Sequence, residues 1–196
     1  MNTFGKTKPT VIPLDLSENQ FQIYNKISRN YSHSFLFESL TGPEVLAETS
    51  VMGFDPKTII RGFSNKIEIT HKDGEKVTIE TKNPFDEIKK LLPESEDKSY
   101  RYLGGAVGVV NYDAIRLIEK IPQNHAVIEP MMEFGIYDDG ILYDNKKKKL
   151  FYFYYEQDRF DDLKISDNTF DKVKISDIKE NLDNKQFSEI VNKAKK

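Results

Sequence analysis

The sequence predicts an α+β fold made mainly of antiparallel sheet. Three features carry this. Strand-like stretches outnumber those with helical periodicity, most connections between them are short and hairpin-like, and few strands alternate with helices as a doubly wound parallel sheet demands. The chain has 196 residues, 38% of them apolar, with 13 Phe and 10 Tyr, enough for one domain or one and a half and a core to match.

In chain order, "SENQFQIYNKISRN" opens on Ser17 as a helix N-cap and sets Phe21, Tyr24 and Ile27 along one side, a short amphipathic helix. "SFLFES" reads as a strand, and "AETSVMGF" as a second one after the Gly42-Pro43 turn. "NKIEITHKDGEKVTIETK" is the clearest hairpin. Ile67 and Ile69 alternate with polar residues, Asp73-Gly74 makes the turn, and Val77 and Ile79 alternate on the return. Asn83 and Pro84 then open a helix as N-cap and first helical residue, with Phe85, Ile88, Leu91 and Leu92 apolar.

"GGAVGVVNY" has too little polarity for a solvent-facing side, so it is expected to be a central, buried strand. "YDAIRLIEKIP" follows as a short helix or turn stopped by Pro122. "MMEFGIYDDGILYDNKKKKLFYFYYE" holds at least two more strands, with the lysine run as a solvated hairpin tip. Past Tyr155 the chain turns charged and weakly periodic. Residues 1–155 are therefore expected to form the main domain and 156–183 a charged surface helix or linker. In 184–196, Phe187, Ile190, Val191 and Ala194 share one face of a helix that meets no stop signal before the last residue. The expectation is that the native chain continues.

Composition excludes several classes of function. The absence of cysteine removes disulfides, thiolate zinc sites and thiol nucleophiles. A net charge of −3 offers no nucleic-acid footprint. His33, His71 and His125 are too far apart in sequence to suggest metal ligation. No apolar run approaches the roughly 20 residues of a membrane helix, and "MNTFGKTKPTVIPL" lacks the apolar core of a secretory signal. A soluble cytoplasmic protein is expected.

The motifs that invite chemistry are few. In "LGGAVGVV" the glycines Gly104, Gly105 and Gly108 match no phosphate-binding loop and lie at the start of and inside a strand, where glycine marks a bulge or a close backbone approach. Asp113, Arg116 and Glu119 recur at helical spacing, which suits a salt-bridge cluster better than a catalytic set. Glu38-Ser39, where "SFLF" ends, is the most site-like pair. A carboxylate buried at a strand end needs a partner. That partner is either a ligand ammonium, with the Ser39 hydroxyl as a second contact, or a nearby lysine or backbone amide.

Two segments point further. "FLFESLTGPEVLAETSVMGF" resembles the N-terminal region of the large subunit of anthranilate synthase, with its Leu-Leu-Glu-Ser signature, Gly-Pro turn and following strand. "GGAVGVVNYDAIRLIEKIP" is similar to the family's second landmark, and "KQFSEIVNKAKK" resembles the first helix of its chorismate-binding domain. The likeness spans about residues 15 to 196, and the same region occurs in aminodeoxychorismate synthase.

The resemblance implies antiparallel sheets packed orthogonally with helices outside. It implies a synthase that turns chorismate and ammonia into anthranilate and pyruvate. Such an enzyme uses Mg²⁺ and a glutamine amidotransferase subunit (component II), with the chorismate and Mg²⁺ ligands in a later domain. Residues 184–196 would begin that domain, and these 196 residues alone would be inactive. It also implies that Glu38 and Ser39 contact the feedback inhibitor L-tryptophan. Leu46 stands where many members carry lysine, and Glu48-Thr49 where the family usually has Arg-Tyr, so positive charge is lost beside that site. A stand-alone amino-acid-binding module is the alternative of a different class.

Overall fold

The computed structural model describes residues 8–39, 48–92, 96–122, 130–163, 179 and 181–195, and within these ten strands form two five-stranded sheets whose pairings are all antiparallel. The first contains β1 (Thr10–Leu14), β2 (Ser34–Phe37), β3 (Thr49–Phe54), β9 (Asp139–Asp144) and β10 (Lys149–Tyr154), in the order β1-β10-β9-β3-β2. The second contains β4 (Thr58–Gly62), β5 (Lys66–His71), β6 (Lys76–Glu80), β7 (Gly105–Val110) and β8 (Met132–Tyr137), in the order β6-β5-β4-β8-β7. The helices are α1 (Gln20–Asn30), α2 (Pro84–Leu91) and α3 (Asn184–Ala194). This is the α+β, antiparallel architecture that the sequence predicts.

Alternation along the strands sorts the core into layers. In the first sheet Met52, Phe54, Ile141 and Tyr152 pack against Ile23 and Ile27 of α1, while their neighbours Val51, Leu142 and Phe153 pack on the other face with Leu103. In the second sheet Ile60, Ile67, Ile69, Met132 and Ile136 enclose Ile88 of α2. The sheets meet where the ring of Phe35, on β2, stands edge-on to Tyr137, on β8, with centroids 5.0 Å apart.

Local signals explain several elements. The Asp73-Gly74 turn joins β5 to β6 with Gly74 at φ 93°, a left-handed conformation that glycine adopts without a Cβ penalty. Asn83 caps α2 through Phe85 N–H, with Pro84 at its first position, as expected.

For α1 the N-cap is Asn19, not Ser17: Asn19 and Gln22 each accept from the other's backbone N–H, and that reciprocal pairing fixes the start two residues later. Its buried face is accordingly Ile23 and Ile27, and Phe21 is exposed. β1 is an element that the sequence pattern did not announce. Its Pro13 fits an edge position, where a missing N–H costs no ladder bond.

The largest departure is β7. It lies at an edge of the second sheet rather than in its middle, with Val109 62% and Val110 52% exposed. An apolar run of strand length has the same composition whether it is central or an uncovered edge. Tyr112–Leu117 forms a 3₁₀ turn after it.

The β9–β10 connection is the hairpin tip expected of the lysine run, although Lys146 and Lys147 form ion pairs with Glu48 and Asp144. α3 forms as its periodicity predicts, capped by Asp183 and Gln186, and none of its residues is buried. The Gly42-Pro43 turn and Leu46 lie outside the described residues, as do His125 and most of 156–183 beyond Leu163.

One ion cluster ties the sheets together. The chain passes from the first sheet to the second between β3 and β4, and returns between β8 and β9. Arg159 holds both crossings. It reaches both carboxylate oxygens of Asp139 at 2.6 Å, one oxygen of Asp55 at 2.6 Å and the carbonyl of Phe54 at 3.3 Å. Tyr152 adds a hydroxyl bond to Asp139 at 2.6 Å.

Candidate functional site

Glu38 and Ser39 leave the end of β2, an edge strand of the first sheet. Phe37 pairs with Val51, so the next residues run beside the start of β3, and Ser39 N–H donates to Ser50 Oγ at 3.2 Å. β3 begins where β9 ends, with Thr49 opposite Asp144, which brings the β9–β10 tip to the same end of the sheet. There Asn145 donates its side-chain amide to the Ser39 carbonyl at 3.3 Å and its backbone N–H to the Glu48 carbonyl at 2.9 Å. Ser39 is thus tied through its backbone N–H and carbonyl to the Ser50 and Asn145 side chains at this sheet end. The Ser39 hydroxyl is left uncommitted to any described residue.

The expectation of a buried carboxylate does not hold. Glu38 is exposed, and its Oε1 accepts from the Gln20 side-chain amide at 3.3 Å. An edge strand's terminal side chain keeps its water, so desolvation does not demand a partner there. What the geometry retains is a solvated acceptor beside an uncommitted hydroxyl.

Adjoining it is a cluster that sequence patterning misses. Asp144 accepts from the Lys146 and Lys147 backbone N–H groups at 3.0 and 2.9 Å and from the Tyr100 hydroxyl at 3.1 Å, and pairs with Lys147 Nζ at 3.1 Å. Burial raises its carboxyl, but these N–H and O–H donors and the Lys147 charge outweigh that and hold it below the usual carboxylate range. Lys147 also lies over the Tyr100 and Phe151 rings. Between this cluster and the preceding loop is a cleft of 410 Å³, lined by Glu48, Thr49, Asp97, Lys98, Ser99, Tyr100, Arg101, Leu103 and Gly104. Asp-Asn ahead of the lysines marks the turn, but nothing local in the sequence brings Tyr100 to it.

The other candidates resolve structurally. Asp113 and Arg116 pair at 3.0 Å, and Arg116 also caps the carbonyls of Ile121 and Pro122, which locks the 3₁₀ turn, while Glu119 is exposed. His33 contacts Ser32, and His71 contacts Thr58. Among the described residues no group of three His, Asp or Glu side chains is placed to hold a metal ion, and no helix is long and apolar enough to cross a membrane. Gly104 and Gly105 have φ of 88° and 124° and shape the entry to β7.

Comparison with known proteins gives this arrangement a context. The model of the chorismate binding enzyme family matches residues 32–196. Anthranilate synthase component 1 of Methanothermobacter thermautotrophicus is 32% identical over 169 residues, covering 83% of this chain and 35% of that protein. The counterpart from Methanothermobacter marburgensis is 34% identical, over 74% of this chain and 31% of the relative. The chloroplastic anthranilate synthase alpha subunit 1 of Arabidopsis thaliana is 30% identical over 60% of this chain. A crystal structure of anthranilate synthase component I from Streptococcus pneumoniae aligns with a TM-score of 0.46 at 19% identity, over 80% of this chain and 32% of that one. The chain spans about a third of the length of the Methanothermobacter relatives.

Proposed function

This chain belongs to the family of chorismate binding enzymes, and from that membership we propose that it is the N-terminal regulatory portion of an anthranilate synthase component I. The observation that carries the reading is the similarity to relatives of that name over as much as 83% of the chain. The whole enzyme would convert chorismate and ammonia to anthranilate and pyruvate in the cytoplasm, with ammonia delivered by a glutamine amidotransferase subunit. Mg²⁺ and chorismate would be held by residues outside this chain, so these 196 residues alone would not turn chorismate over. Residues 1–155 would be the regulatory domain, 156–183 the linker and 184–196 the first helix of the chorismate-binding domain.

Glu38 and Ser39 would form part of an L-tryptophan site. In it the inhibitor's ammonium takes the place of the Gln20 amide on the Glu38 carboxylate, and the free Ser39 hydroxyl supplies a second bond. An ammonium–carboxylate bond is charge-assisted and outweighs the neutral amide contact it displaces. Feedback then requires that this binding favour one of two states of the whole enzyme.

The test is inhibition of the complete enzyme. In Glu38→Ala the tryptophan concentration giving half-inhibition is expected to rise about tenfold, a loss of about 1.4 kcal/mol, with uninhibited turnover unchanged. Unaltered inhibition in this variant removes Glu38 from the site.

A further inference from the structure

We propose that Asn145 and Ser50 are positioning residues for the tryptophan site: they fix the backbone from which the Ser39 hydroxyl reaches the inhibitor. This rests on Glu38 and Ser39 being contacts for that ligand. The paired part of β2 ends at Phe37, opposite Val51. Ser39 lies two residues beyond, where side chains rather than a strand ladder hold it. Ser50 Oγ accepts from the Ser39 N–H at 3.2 Å, and Asn145 Nδ2 donates to the Ser39 carbonyl at 3.3 Å.

Those two bonds fall on the two peptide units that flank one residue. The N–H belongs to the unit shared with Glu38, and the carbonyl to the unit that follows. Each unit is planar, so holding both restrains φ and ψ of Ser39 together. The direction of its Cβ is then set, and the hydroxyl keeps only its χ1 choice among staggered rotamers. A group held this way has little freedom left to lose on binding, which is how a preorganised contact gains affinity.

Both anchors are themselves held. Ser50 lies in β3 with no exposed surface. Asn145 donates its own backbone N–H to the Glu48 carbonyl at 2.9 Å. It follows Asp144, whose carboxylate takes the Lys146 and Lys147 N–H groups and the Tyr100 hydroxyl and so sets the turn. In the first sheet β3 separates β9 from β2, so the Asn145 side chain links two strands that do not pair. The clamp therefore joins three strands at the one residue whose hydroxyl is uncommitted to any described residue.

The test is equilibrium dialysis of L-tryptophan against the complete gene product that contains these residues. Asn145→Ala and Ser50→Ala are each expected to raise the tryptophan Kd about fivefold, the loss of one well-placed hydrogen bond, and Ser39→Ala should do the same. The deciding measurement is Asn145→Ala/Ser39→Ala, which should bind as Ser39→Ala does, because the clamp acts through that hydroxyl. Effects that instead multiply to about twenty-five-fold show Asn145 acting elsewhere in the fold and overturn the proposal. This cycle stands without Ser50→Ala, whose buried position is the costlier one to alter. Glu38→Ala separates the clamp from the site itself. A Kd raised by Glu38→Ala but not by Asn145→Ala overturns the positioning role and leaves the site in place. Unchanged affinity in both Glu38→Ala and Ser39→Ala, or no binding by the unaltered enzyme, removes the site and the clamp with it.

Discussion

Replacing Arg159 with leucine is expected to lower the unfolding free energy by about 3–5 kcal/mol, the range for removing one partner of a buried ion pair. The size follows from what would be stranded. The Asp139 side chain is 3% exposed and receives two of the guanidinium's N–H bonds, both at 2.6 Å. Leucine leaves that carboxylate with the Tyr152 hydroxyl and no opposite charge in contact. Asp55 is affected less, because Lys72 also pairs with it. Geometry adds to the electrostatics, since Asp55 lies at one crossing between the sheets and Asp139 at the other. The Arg159 guanidinium also sits 5.4 Å above the Phe54 ring. Urea unfolding of the two proteins measures the difference, and a loss below about 1 kcal/mol would mean that the crossings hold without the clasp.

The pH dependence of that loss has a definite sign. Burial raises the Asp55 carboxyl, but hydrogen bonds and charge from Lys72 and Arg159 outweigh it, so its folded-state pKa lies below the ordinary value of 3.8. A depressed carboxylate contributes stability that is fully present above its unfolded pKa and is lost as pH falls through the folded one. Asp138 works the other way. Burial and the neighbouring Asp139 raise it against the pull of Lys57, so its ionisation opposes folding and the opposition fades on acidification. The gap between wild type and Arg159→Leu should therefore be widest near neutrality and narrow as pH falls below the ordinary 3.8 and through the lower folded-state pKa, where Asp55 gives up the charge that Arg159 pairs.

Gly108→Val is expected to cost about 3 kcal/mol, the upper part of the range for forcing atoms into filled space. A Cβ at this position would lie 1.9 Å from the Glu133 carbonyl oxygen and 2.7 Å from the Phe134 Cα, both main-chain atoms of the paired strand β8. Backbone cannot swing aside as a side chain would, so β7 must separate from β8 or shift register. A fall in Tm with loss of exchange protection in Gly105–Val110 and Met132–Tyr137 is the expected signature. An unchanged Tm would show that the approach of the two strands is looser than these distances state.

Gly108 is also a place where sequence and structure agree for a physical reason. A glycine inside a β-branched run has little use except to let another backbone come close, and it does so here. The Asp73-Gly74 turn and the Asn83-Pro84 helix start were legible in the same way, because each rests on a rule spanning only a few residues. β7's position was not legible, since burial of an apolar strand depends on what lies beside it. β1 escaped notice because Pro13 argues against a strand anywhere but at an edge. The Arg159 clasp was out of reach of any local pattern, its partners Asp55 and Asp139 lying 104 and 20 residues away.

The candidate site divides similarly. Glu38-Ser39 at the end of a strand is visible in the sequence. The exposure of Glu38 and the meeting of Asp144 and Asn145 with Ser39 follow from strand order, and Tyr100 joins them from a loop ahead of β7.

The central claim is the reaction, and identifying the product tests it most directly. The complete gene product that contains these residues, given chorismate, ammonia and Mg²⁺, is expected to release anthranilate and pyruvate in equal amounts. Formation of aminodeoxychorismate without pyruvate, or no consumption of chorismate at all, would contradict the account.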